Sequence, residues 1–302
     1  MSASLRWSLR MVRLLRNVAM SLLLALVFGS ASALADGQHT FWEVTGKHNK
    51  VWLLGSVHVL HDSDTALPAV ATTAYANAET IIEELDLNAA ISEMASTGAA
   101  MQMLPAGKTL RGVLGPALYA QLEKEVRKLS LDLDSMAGFA PWAVALQIEQ
   151  MRLLRAGYNP LNGVDFQIAT LAQQDGKPLH GLETLEDQLG LFSHLSLDEQ
   201  CEFLRSMLEE EDSQKQLGDI TKAWRDGDVR ALESLLREGS EESPALFKKL
   251  TVDRNQRWLP QIEKMLQDSG NDYLVVTGAL HMVGSDGLVQ LLRSKGYHVE
   301  QK

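Results

Sequence analysis

The pattern of apolar and polar positions predicts two units of the same layout at opposite ends of the chain. Val51-Trp52-Leu53-Leu54 is an unbroken apolar run, the signature of a strand covered on both faces. Gly55-Ser56-Val57-His58 follow, then a polar loop with Asp62, Ser63 and Asp64. A helix is expected from Pro68, since proline is tolerated in a first turn, to Glu79. A second strand is expected over Thr80-Ile81-Ile82-Glu83-Glu84-Leu85. The second unit opens with the apolar strand Tyr273-Leu274-Val275-Val276-Thr277, followed by Gly278-Ala279-Leu280-His281. A loop with Gly284, Ser285, Asp286 and Gly287 leads to a helix over Leu288 to Lys295, which Gly296 closes. Tyr297-His298-Val299-Glu300 is its last strand.

The sequence between the units is mostly helical. Ala145, Ile148, Met151 and Leu154 place apolar residues near a 3.6-residue period within Pro141 to Ala156. Ser196-x-x-Glu199 has the form of a capping box at the head of a charged helical run, broken at Asp226-Gly227-Asp228. The turn Asp175-Gly176-Lys177 introduces a β element at Pro178 to Leu182. Together these predict an α/β fold with a central, mostly parallel sheet made from two βαβ-like halves. Helical insertions fill roughly 88–160 and 196–270 of a single domain spanning about 36–302.

The first residues read as an address. Arg6, Arg10, Arg13 and Arg16 precede an apolar stretch from Val18 to Phe28, and Ala33-Leu34-Ala35 resembles a signal-peptidase site. This predicts a signal peptide over residues 1–35 and a periplasmic or secreted protein. The stretch is short beside the roughly 20 residues of a spanning helix, so membrane contact is expected only if the signal stays uncleaved. Removing it takes four arginines from a chain of net charge −11, which leaves 24 basic against 39 acidic side chains. So acidic a surface argues against a nucleic-acid partner, because phosphate binding needs a basic stripe. The single cysteine, Cys201, excludes an internal disulfide and zinc patterns built on paired cysteines.

Ligands of open α/β sheets bind beyond the carboxyl ends of strands. A glycine there lets backbone approach a ligand, and imidazole is both a common metal ligand and a general base near neutral pH. One G-x-x-H tetrapeptide fixes only two positions, but two copies, each after a strongly apolar strand, make His58 and His281 candidates for a shared site. Glu83 and Glu84 should point to opposite faces, so one is expected in the crevice and the other as a solvated strand-end charge. Arg254 shares a helix face with Phe247, Leu250 and Trp258. An isolated buried charge is too costly, so three readings stand: a site carboxylate, an anionic substrate group, or snorkelling to water. Asn255 adjoins it. Glu183, at a strand end, could face the same crevice, whereas Asp165 and Thr184 read as natural N-caps. His61, with Asp62 and Asp64, reads as turn polarity rather than a ligand set. The H-E-x-x-H, G-x-S-x-G and Walker A signatures are absent.

Six short segments occur in a telling order: Leu53-Leu54-Gly55-Ser56-Val57-His58, Ile82-Glu83-Glu84-Leu85-Asp86, Gly163-Val164-Asp165, Gly181-Leu182-Glu183-Thr184 with Gln188, Arg254-Asn255 and Gly278-Ala279-Leu280-His281. In this order the chain resembles the TraB/GumN family, whose wider superfamily includes the Tiki metalloproteases, from Thr40 to Val299. The resemblance implies a metal-dependent hydrolase, peptidase-like, with a peptide or small-molecule substrate. It implies that His58, Glu84 and His281 hold Mn²⁺, Co²⁺ or Zn²⁺ and act in catalysis with Arg254, and that Glu183, Asn255 and Asp165 support them. Glu84 rather than Glu83 takes the acidic position, two before Asp86. The superfamily also resembles haem-binding and erythromycin-esterase-type proteins. A metal-free hydrolase and a non-catalytic haem-, metal- or peptide-binding protein are therefore its alternatives.

Overall fold

The apolar run at Val51 forms the middle of strand β2 (Lys50–Ser56), which is buried from its second residue onward. In this computed structural model, residues 39–209, 213–242 and 244–302 are described. The expected signal peptide, residues 1–35, lies outside the described residues. The first unit continues through the helix Ala69–Asn77 to strand β4 (Thr80–Glu83). The second runs from β7 (Tyr273–Gly278) through Leu288–Ser294 to β8 (His298–Gln301). With β1 (Phe41–Thr45) and β6 (Leu179–Gly181) they form a six-stranded sheet in the order β6-β4-β7-β2-β1-β8. A minor pair, β3 (Leu60–His61) with β5 (Tyr158–Asn159), lies apart from it.

The sheet is mostly parallel, as the two-unit layout predicts. β7 slots between β2 and β4 and runs parallel to both, and β4 is parallel to β6. Only β1 reverses, pairing antiparallel with β2 and β8. Nothing in the sequence pattern announced β1, because the half-buried Glu43 interrupts its apolar residues Phe41, Trp42 and Val44.

Register aligns the motifs. Gly55 is opposite Thr277 and Ser56 opposite Gly278, while Glu83 is opposite Val276. Three neighbouring strands thus end together, and the chain beyond them carries His58, Glu84 and His281 at the carboxyl edge of the sheet. Gly55 lies inside β2 and Gly278 is the last residue of β7, so the glycines end the strands rather than follow them.

Two apolar cores support this edge. One packs the sheet against helices through residues such as Leu53, Val275, Trp258 and Leu292. The other lies among the helices between the two units, where Trp142, Phe192 and Phe203 stack in a row. In Pro141–Arg155 the buried face runs through Trp142, Ala145, Ile148 and Leu153, while Leu154 is exposed. Seven or eleven residues return to the same face of a helix, and a strict three-residue step drifts off it. The break at Asp226-Gly227-Asp228 separates Ser213–Arg225 from Val229–Glu242.

Candidate active site

Each side chain of the site is delivered by a local device. Val164 N–H donates to the Val57 carbonyl at 3.1 Å, docking the start of the Val164–Asp175 helix on the His58 segment. Gly163 must lack a side chain there, because a Cβ would sit 2.3 Å from the His58 carbonyl oxygen. The docking places Asp165 Oδ1 3.1 Å from His58 Nδ1. Asp165 is therefore not the helix cap predicted for it. Gly163 occupies that position, and the carboxylate two residues on, within the first turn, is free to face the imidazole.

Arg254 is fully buried and hydrogen-bonded on every side. Its Nε and Nη2 form a fork with the two oxygens of Glu183, at 3.1 and 2.6 Å, and Nη2 also donates to Glu84 Oε2. Its Nη1 points at His281 Nε2, 3.1 Å away, and the ring of Trp258 packs against both the guanidinium and His281. Of the three readings of Arg254, the site carboxylate is the one realised, twice over. A charge-assisted fork of this kind is the arrangement that lets a guanidinium lie buried.

His281 is held in one protonation state from both ends. Asn255 Nδ2 donates to the carbonyls of His281 and Asp286, at 3.2 and 2.8 Å, so its Oδ1 is the atom facing His281 Nδ1 at 2.7 Å. Nδ1 therefore carries the proton, and Nε2 accepts from Arg254. Burial and the guanidinium charge push the His281 pKa down to about 3. At neutral pH this ring is uncharged.

His58 behaves oppositely. Burial alone would lower its pKa, but the charge and hydrogen bond of Asp165, with Glu84 behind them, raise it above the usual histidine value. Glu84 is driven far the other way: burial works against ionisation, yet Arg254, the two imidazoles and the Gly278 N–H at 2.7 Å hold it well below the carboxylate range. His58 Nε2 and His281 Nε2 lie 3.9 and 4.0 Å from Glu84 Oε1. A Cβ on Gly278 would stand 3.2 Å from His58 Nε2 and 3.4 Å from Glu84 Oε1, so the missing side chain leaves room in the crevice.

The stretch carrying all these residues, 40–301, matches the TraB/PrgY/gumN family. The chain belongs to that family. Among the family's similar proteins, one from Escherichia coli (strain K12), described as uncharacterized protein YbaP, is 23% identical over 85% of this chain and 94% of its own. An uncharacterized protein of Treponema pallidum (strain Nichols) is 21% identical over 87% of this chain and 83% of its own. No solved structure matches significantly.

The structure brings together His58, Glu84, His281, Arg254, Glu183, Asn255 and Asp165. His61 stays outside, against Tyr158 on the minor strand pair. Glu83 departs from expectation. It is as buried as Glu84, not a solvated strand-end charge, and neither of its oxygens has a hydrogen-bond partner. Burial, with Asp165, Asp86 and Glu84 nearby, pushes its pKa well above the usual carboxylate value. Both glutamates border the space beside His58, and Glu84 already lies beyond the end of β4, where strand alternation no longer applies. Gln188, whose Nε2 lies 3.4 Å from Glu84 Oε2, was marked in the sequence only by its place in the family order, with no role attached.

A three-ligand metal centre does not fit these atoms as they stand. Among the described residues, no three His, Cys, Asp or Glu side chains are arranged to hold an ion. The reason is local: His281 offers its outward nitrogen to a permanently charged guanidinium, and the same guanidinium neutralises Glu84.

Proposed function

We propose that the chain is an exported hydrolase that activates water at His58 and acts on a peptide or small-molecule substrate. One observation carries this reading: His58 is oriented at Nδ1 by Asp165 and turns Nε2 to the space above Gly278. A general base needs this arrangement, with one nitrogen fixed by a carboxylate and the other free to take a proton.

Water in the crevice gives its proton to His58 Nε2 as its oxygen attacks the substrate's carbonyl carbon. Asp165 and the ionised Glu84 stabilise the imidazolium that forms, and the same proton passes to the leaving group as the bond breaks. His281, neutral and engaged at both nitrogens, positions Arg254 and accepts no proton. Export is supported by the arginines, apolar run and Ala33-Leu34-Ala35 of the first residues. The peptide bond as target is supported by the resemblance to the Tiki metalloproteases.

A second reading has its own support, the approach of both imidazoles to a single Glu84 oxygen. His58, Glu84 and His281 would hold a divalent ion that supplies Lewis-acid chemistry. That reading requires Arg254 Nη1 to leave His281 Nε2.

Hydrolysis of fluorogenic peptides and esters, measured with and without a chelator, separates the readings. Chelator-resistant hydrolysis that falls about a hundredfold or more in His58→Ala is the expected result. Activity lost to the chelator and restored by Mn²⁺ would transfer the chemistry to the metal. Haem absorbance without hydrolysis would identify a binding protein, and a wild-type chain inert toward every substrate class would overturn the hydrolase.

A further inference from the structure

Beside His58 is a small space lined by His58, Glu83, Glu84, Asp165 and Gln188, with Leu85, Leu87 and Val276 supplying apolar wall. Its volume is about 10 Å³, the size of one water site. Both carboxyl oxygens of Glu83 and Oε1 of Gln188 have no hydrogen-bond partner there, and Asp165 Oδ1 has only its contact with His58 Nδ1 at 3.1 Å. Glu83 is 1% exposed, so bulk water does not satisfy it. Leaving such groups unpaired is costly, and native interiors rarely leave several together.

The chemistry of these atoms is complementary to one water molecule. Asp165 Oδ1 and Gln188 Oε1 are acceptors, the latter because the amide nitrogen of Gln188 faces Glu84. One water bridging Glu83, Asp165 and Gln188 would have three partners, the usual number for a buried water. A direct contact of Glu83 with Asp165 would leave Gln188 Oε1 unsatisfied.

We infer that Glu83 is a positioning residue, which through one enclosed water fixes Asp165 and thereby the orientation of His58. The inference rests on the general-base reading for its effect on catalysis, but the water and the His58–Asp165 contact exist or fail independently of any activity. Glutamine in place of Glu83 keeps a donor and an acceptor at the same length, whereas leucine removes both.

Crystal structures at a resolution that shows waters, together with hydrolysis rates, test it on wild type, Glu83→Gln and Glu83→Leu. A water contacting residues 83, 165 and 188 is expected in the first two and absent in the third. Glu83→Leu should lose the His58–Asp165 contact and about tenfold or more in kcat, with Glu83→Gln within about threefold of wild type. A dry wild-type cavity would overturn the inference. So would a His58–Asp165 contact that survives in Glu83→Leu, or a Glu83→Gln variant as impaired as the leucine one. If wild type hydrolyses nothing, the hydrolase reading fails alone, and the water with the His58–Asp165 contact still decides the role of Glu83.

Discussion

Arg254 shows why single residues here cannot be assigned in isolation. It pairs with Glu84 and Glu183 and donates to His281, so its removal leaves two carboxylates buried beside each other. Breaking a buried pair from one side costs about 3–5 kcal/mol, and Arg254→Ala is expected to lose that much stability in urea denaturation. Arg254→Lys keeps the charge without the planar fork, so a smaller stability loss accompanied by reduced activity is expected. The His58 pKa is raised, and a general base must be unprotonated to act. Activity should therefore rise with pH along a limb whose midpoint lies above 6.5, and a midpoint at or below that value in kcat/KM would contradict the role. Gly278→Ala places a methyl group in the crevice at 3.2 Å from His58 Nε2. Its expected signature is a large loss of hydrolysis with little change in melting temperature. At this scale the histidines were legible in sequence because each repeats a motif. Asp165 was legible only through the family order and Glu83 not at all, because a first-turn aspartate and a strand-end glutamate each have an ordinary local explanation that only tertiary contact overrides.

Among the elements, sequence legibility follows the locality of the cause. Ser196 and Glu199 form the reciprocal capping contacts their spacing predicts. Thr184 and Asp187 form another box at the head of Leu185–Ser193. Thr184→Ala should cost about 1 kcal/mol in chemical denaturation. Because this helix also carries Gln188, the substitution should lower activity beyond its effect on stability. The strands β2, β4 and β7 were legible from their apolar runs, which are fully covered in the sheet. Their order was not: no local pattern tells β7 to enter between β2 and β4, since that depends on pairing across about 200 residues of chain. The same holds for the docking of Val164 on Val57, which a reading of the helix start as a simple cap could not contain.

At the scale of the whole molecule, burying a neutral imidazole makes the fold sensitive to acid. The His281 pKa falls from 6.5 to about 3 on folding. Below pH 6.5 the unfolded chain takes up a proton that the folded chain refuses, so this contribution is complete above 6.5 and is lost as pH falls toward 3. Glu83, raised in the folded state, tilts the profile the other way above its ordinary value of 4.5. The informative measurement is thus the difference between wild type and His281→Gln. The variant should be less stable at neutral pH and should show a flatter decline between pH 6.5 and 4.5. Parallel slopes in the two proteins would assign the acid sensitivity elsewhere.

The threading of β7 also bears on when the protein can act. Its first histidine motif is made early in synthesis and its second almost last, and the strand carrying the second motif fills the gap between two strands made long before. Until that strand arrives, Glu84 lacks both the Gly278 N–H that holds it and the His281 ring beside it. A nascent or truncated chain carries only half of the candidate centre, so under the export proposed above the site is assembled only after the strand carrying the second motif has crossed.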